Sequence, residues 1–197
     1  MKQVACLILF LLPILNYGFK KNELPYSIVI AKADLIVDGI ISKVSKNDYE
    51  FTINQFVKGK SGAKIKVSIW EEWLCDPRVN ELKAGQRLIL FLERTPYGTL
   101  KPINDSTGEL YIDNNTFINM FLPKEFTNPS VLKKGISMFI ETFTVYGDLN
   151  DRFLQNIHFS SNKSIFEVYQ MSENNPFFKS LIPYAGDYKV NEAFVRL

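Results

Sequence analysis

The chain has 197 residues, of which 46% are hydrophobic and 22% charged, and its 23 Lys and Arg nearly balance 21 Asp and Glu for a formal net charge of +2. That hydrophobic content excludes an intrinsically disordered chain, and two cysteines exclude a disulfide-dense scaffold. Both signs of charge are mixed along the sequence with no basic block, so no nucleic-acid partner is expected.

The N-terminus, MKQVACLILFLLPILNYGF, sets Lys2 ahead of an apolar run from Val4 to Leu15 that is broken only by Pro13. Asn16 and Gly18 follow. This is the layout of a secretory signal peptide, and the run is too short to cross a hydrocarbon core about 30 Å thick as a helix. Residues 1–18 are assigned to it, with cleavage near Gly18. An uncleaved anchor is the alternative and the one route to a membrane. Cys6 lies inside the apolar run and not after it, which excludes a lipoprotein site. The expected location is therefore secreted or periplasmic. Cleavage leaves Cys75 as the mature cysteine: a free thiol, an intermolecular bridge, or the remnant of a lost pair. Stability must then come from an apolar core, for which a domain of this length suffices.

Residues 19–127 read as one strand-rich unit. In ADLIVDGIISKV, Leu35, Val37, Gly39 and Ile41 share one face, with Asp38 and Ser42 on the other beside Ile36 and Ile40. Gly39 inside a strand predicts a bulge or tight bend. YEFTINQFV alternates Tyr49, Phe51, Ile53 and Val57 against Glu50, Thr52 and Asn54. Turn residues Gly59 and Gly62 follow, and AKIKVSIW alternates again with Ile65, Val67 and Ile69 inward. GQRLILFLER is nearly continuous in apolar residues, as expected for a strand covered on both faces. YGTLKPINDSTGELYID reads as a last hairpin turning at Asn104 to Gly108. Five short strands without a helical period between them predict a closed or nearly closed antiparallel barrel of OB-like type, in an α+β chain that is mainly β.

Residues 128–197 change period and are expected to form a helical extension packed on the barrel. Asn128 suits an N-cap and Pro129 the first helical position. Leu132, Ile136, Phe139, Ile140 and Phe143 then recur at helical spacing, and Gly147 is the expected C-cap. A further short helix is expected over residues 151–157. SIFEVYQM fits helix or strand, and NNPFFKSLIPYAGDYKV reads largely as loop.

Chemistry-bearing groups are few. Cys75 with His158, the one histidine, would give a thiol nucleophile and a base, but more than eighty residues separate them and no nucleophile motif surrounds Cys75. INDSTGEL resembles the loop of an aspartic protease with one residue too many and no second copy to supply a paired carboxylate; a turn accounts for it. No metal-ligand spacing appears, DLND at 148–151 lacks the glycine and distal glutamate of a calcium loop, and no cofactor is implied. What stands out is WEEWLCDPR. Trp70, Glu71, Glu72, Trp73 and Arg78, on a long loop beside Cys75, have the composition of a hot spot for a protein partner or of a platform for a glycan. Against that, one tryptophan could plug the barrel and the other pack on the tail.

The order of ADLIVDGIISKV, YEFTINQFVKGK, KIKVSIW, a loop cysteine and KAGQRLILFL resembles the netrin-like modules, the group that includes the tissue inhibitors of metalloproteinases, and more closely their bacterial secreted relatives. The likeness covers residues 33–113 and implies an OB-like barrel. In that family a loop cysteine pairs with one near the mature N-terminus, where KKNELPYSIVI offers none, so the resemblance makes Cys75 an orphaned half or a plain thiol. The family's inhibitors also chelate the target's zinc through an N-terminal cysteine that is missing here. Together these readings point to a non-catalytic exported binding module, with a protease inhibitor that does not chelate zinc as the alternative and an enzyme using Cys75 as the third.

Overall fold

The computed structural model describes residues 21–118 and 128–182 except 152 and 155, together with Leu122 and Phe126. The expected signal peptide, Cys6 and residues 183–197 lie outside the described residues.

Five strands close the barrel: β1 (Leu35–Val44), β2 (Asp48–Lys58), β3 (Lys64–Ser68), β4 (Arg87–Arg94) and β5 (Leu100–Pro102). Their order is β1-β2-β3-β5-β4, and β4 pairs back onto β1. The arrangement is OB-like, as expected, but the expectation of purely antiparallel pairing needs correcting. β3 and β5 run parallel, joined by the pair Val67 and Leu100. An odd number of strands cannot close a ring with every neighbour reversed, so one parallel seam is unavoidable.

The expected inward faces fill the barrel. Leu35, Val37, Ile41, Tyr49, Phe51, Val67, Leu88, Leu90 and Leu92 form a buried cluster with Leu100 and Tyr111. Gly39 sits at a register shift between β1 and β2. A Cβ there would fall 2.2 Å from the Thr52 carbonyl oxygen and 2.6 Å from the Phe51 ring, so glycine is what lets the strand bend across its neighbour. A second shift, at Ile36 and Val37, moves Val57 out of the barrel phase to pack against the outer core.

The stretch after β4 is not the single hairpin expected. The hairpin is β4–β5, turning through Thr95–Thr99 with Gly98 at φ 79°. After β5 a 3-10 turn (Asp105–Gly108) leads to β6 (Glu109–Asp113), which continues along the same edge of β4, and β7 (Thr116–Ile118) pairs with β6. β5 and β6 are thus successive pieces of one row beside β4, interrupted where Asn104 and Asp105 adopt left-handed φ of 52° and 56°.

Outside the barrel lies a second core. Ile36, Ile89, Phe91, Leu110 and Ile112 turn outward and are covered by helices α1 (Tyr26–Lys32), α2 (Pro129–Thr142), α3 (Ile165–Asn174) and α4 (Pro176–Leu181). The α1 helix was not expected; its run of seven residues is too short to display a period, and burial of Ile28, Val29 and Ile30 selects it. The Asn128 cap holds as expected, its Oδ1 accepting from the Ser130 N–H at 2.9 Å. The helix ends before Gly147, however. At Thr142 the chain passes directly into β8 (Phe143–Tyr146), which pairs with β9 (His158–Ser161), and Gly147 at φ 111° turns between them. DLND therefore belongs to a strand-to-strand connection and not to a turn between helices, and none of the described residues of 151–157 is helical. SIFEVYQM is helical behind a capping box at Ser164 and Glu167. PFFKSL forms α4 where a loop was expected, because Asn175 caps it and Phe177, Phe178 and Leu181 are buried.

One polar cluster ties helix to barrel. Asp38 on β1 is buried and takes two hydrogen bonds from Arg87, at 2.9 and 2.8 Å, and one from Lys133 of α2 at 2.6 Å. Burial pushes its carboxyl up, but the hydrogen bonds and charges of Arg87 and Lys133 prevail and hold it below the usual range. A depressed carboxylate stabilises the fold above its unfolded pKa, and that stability is lost as the pH falls through the folded value. Asp38→Ala removes the shared anion of Arg87 and Lys133, both partly exposed, and is expected to lower unfolding free energy by about 1–3 kcal/mol, measured by urea denaturation; Asp38→Asn should abolish part of the acid-side slope between pH ~4 and the lower folded value.

Candidate functional site

The connection from Ile69 to Gln86 leaves β3 at the barrel end opposite the β2–β3 and β4–β5 turns. Trp70 folds back over that end and is 8% exposed. The Arg78 guanidinium lies 4.1 Å from its ring centroid, a cation–π contact. Arg78 Nε donates to Glu109 Oε2 at 3.2 Å, Nη1 donates to Glu72 Oε1 at 3.0 Å, and the Arg78 backbone N–H donates to Glu72 Oε2 at 2.9 Å.

Glu109 is the centre of this network. It is buried on the inward face of β6 and accepts also from the Tyr49 hydroxyl at 2.9 Å and the Tyr111 hydroxyl at 3.4 Å. Burial pushes its carboxyl above the usual glutamate value, and the Arg78 charge and surrounding donors return part of that shift. Burial, then the Glu109 charge, likewise raises the Tyr49 and Tyr111 hydroxyls. The Trp70 indole N–H helps stabilise the carboxylate without a hydrogen bond of good geometry.

A second tie lies two residues before Arg78. Asp76 is fully buried, pairs with Lys21 Nζ at 2.8 Å, and accepts from the Ser106 hydroxyl and from the Ser106 N–H at 3.3 Å. Lys21 also donates to Ser106 Oγ at 2.7 Å. Between Trp70 and Asp76, the Asp76 N–H donates to the Trp73 carbonyl at 2.9 Å and closes a four-residue turn. Its apex is apolar and outward: Trp73 is 41% exposed and Leu74 95%. Cys75 occupies the turn half-buried, and Glu71 and Glu72 flank it exposed.

The loop residues singled out from sequence thus divide. Trp70 and Arg78 face inward and brace; Trp73, Glu71 and Glu72 face solvent. Leu74, the most exposed apolar residue of the loop, was missed, as were Asp76, Lys21, Ser106 and Glu109. Glu109 did carry a signal, since GELYID alternates and puts it in phase with inward-facing Tyr111. His158 lies on the β8–β9 hairpin, an element separate from the Cys75 loop.

No family model matches the chain, and no curated protein does either. Among solved structures the chain is similar to one assigned as an exosome complex RNA-binding protein, 14% identical, covering 85% of this chain and 89% of that one with a TM-score of 0.29. At that score the likeness carries no ligand across. The exclusion of nucleic acid is withdrawn on a different ground, the distribution of charge over the surface. That exclusion rested on a net charge of +2, and a sum over the surface says nothing about local clustering: Lys60, Lys64, Lys66 and Arg94 stand exposed around one end of the barrel.

Arg78→Ala leaves the Glu109 carboxylate buried without its cation and is expected to cost about 3–5 kcal/mol of stability, read from denaturant midpoints. Glu109, with its folded pKa raised above the ordinary 4.5, contributes stability fully below that value and loses it as the pH rises through the folded value. Glu109→Gln should flatten this slope in unfolding free energies collected on both sides of that pH.

Proposed function

We propose that this protein is a non-catalytic exported binding module that engages a protein partner through Trp73 and Leu74. One observation carries the reading: a turn held on its C-terminal side by the buried ion pairs of Asp76 and Arg78, and on its N-terminal side by buried Trp70, presents two large apolar side chains to water. Exposing them stabilises nothing in the isolated chain, since burying a leucine or tryptophan is worth about 1.5–3 kcal/mol or more. Bracing removes most of the ordering cost on association, which is how preformed loops gain affinity. A closed OB-like barrel is a scaffold that suits such a module.

The chemistry at the apex favours protein over glycan. Glycan recognition needs a flat aromatic face beside polar donors, whereas Leu74 supplies neither. The partner surface is an apolar pocket bordered by positive charge, complementary to Glu71, since Glu72 is already paired with Arg78. A loop held this rigidly also suits a protease inhibitor of netrin-like type acting without zinc chelation, which is the second reading.

Trp70→Phe leaves Trp73 as the sole indole reporter. The partner's arrival is expected to shift Trp73 emission to the blue, and Trp73→Ala or Leu74→Asp in the wild-type chain should weaken binding by at least about 2 kcal/mol while changing stability by no more than about 0.5 kcal/mol. Binding unaffected by either substitution would remove the proposal. Metallo- and serine proteases that retain full activity with the purified protein would remove the inhibitor reading alone.

A further inference from the structure

The parallel seam of the barrel is held by a single residue pair, Val67 with Leu100. From there β3 and the β4–β5 turn diverge and leave a cleft of about 320 Å³, lined by Ile65, Lys66, Ser68, Arg94, Thr99 and Leu100 among others. Before that pair β3 has, among the described residues, no partner strand on this side. The Ile53 N–H donates to the Ala63 carbonyl and the Ile69 N–H donates to the Asn47 carbonyl, so odd-numbered residues of β3 turn their polar groups toward β2. By the alternation of an antiparallel ladder, Lys64 and Lys66 turn theirs the other way, toward the seam.

We infer that this seam is a second binding site, which takes a short acidic peptide segment as an added strand on β3. Two features select that occupant. The floor is apolar, formed by Ile65 and Leu100, and the rim carries Lys66 and Arg94, with Lys64 two residues back on β3 and Lys60 in the turn before it; all four are exposed and, among the described residues, without an ion pair. Asp48 is the carboxylate on this cleft. An extended peptide alternates its side chains, so valine at one position meets the floor while glutamate at the next meets the rim. The Lys66 carbonyl serves the pair with Leu100, so an added peptide gains its main-chain hydrogen bonds from the Lys64 N–H and carbonyl and the Lys66 N–H, which a polyanion without peptide groups cannot make.

The site is distinct from the Trp73 turn, at the other end of the barrel, and its test does not involve that loop. A fluorescent peptide alternating glutamate and valine is titrated into the full chain by anisotropy, with hydrogen exchange followed at the amides of Lys64 and Lys66. The peptide is expected to bind, to slow exchange at both amides, and to weaken about tenfold or more, a change of about 1.4 kcal/mol, in the Lys66→Glu, Arg94→Glu double variant. That variant should in turn accept the lysine-for-glutamate peptide. A backbone N-methylated peptide should fail to bind. Equal binding of the N-methylated peptide would overturn the strand-addition mode, and tighter binding of a single-stranded oligonucleotide would replace the peptide with a nucleic acid. If the lysines serve only to keep an open edge from pairing with other copies, no peptide binds and the inference falls.

Discussion

A strand that is apolar on both faces has to be covered on both. β4 is that strand here: Leu88, Leu90 and Leu92 fill the barrel while Ile89 and Phe91 point the opposite way. The inward set is satisfied by closing the sheet on itself through β1. The outward set cannot be, and it is this second face that requires α1, α2 and α4 to pack on the barrel wall. Barrel and helical extension therefore share one continuous framework, and the Asp38 cluster between β1 and α2 fixes how the helix sits on the wall.

The same closure shapes the two surfaces argued to bind. At one end, Trp70 covers the barrel and brings with it a buried carboxylate, Glu109, whose burial is tolerable because Arg78, Tyr49 and Tyr111 converge on it. Those partners lock the loop, and the locked loop presents Trp73 and Leu74. Along the seam, an odd count of strands obliges β3 and β5 to run parallel. They do so through one pair only, because β5 is three residues long. Rigidity at one end and an unfilled edge on the side are consequences of one topology.

The loop illustrates how a residue type can mislead when its direction is unknown. Arg78, a charged residue in a charged loop, has the composition of a surface contact; in the fold its side chain is 5% exposed and serves as a counter-ion. Leu74, a plain leucine in sequence, is left outside by the four-residue turn. Similarly, a net charge near zero concealed the cluster of cations beside the seam, which becomes visible once Lys64 and Lys66 of β3 are placed alongside Arg94 of β4.

By itself the sequence determined the barrel strands β1 to β4 and, Val57 apart, which of their side chains turn inward, since period-two alternation survives in any context where one side is buried. It determined the bend at Gly39 and the cap at Asn128, whose causes are local to one or two residues. Only the tertiary structure decided which two strands form the parallel seam, the splitting of the last strand into β5 and β6, the short helices α1 and α4, and the place where α2 gives way to β8. Each of these depends on pairing or packing with segments tens of residues away, and short segments carry too little intrinsic preference to settle their own state. The partners of Glu109, Asp76 and Asp38 belong with them, because a buried charge announces its need for a counter-ion without saying where along the chain that ion resides.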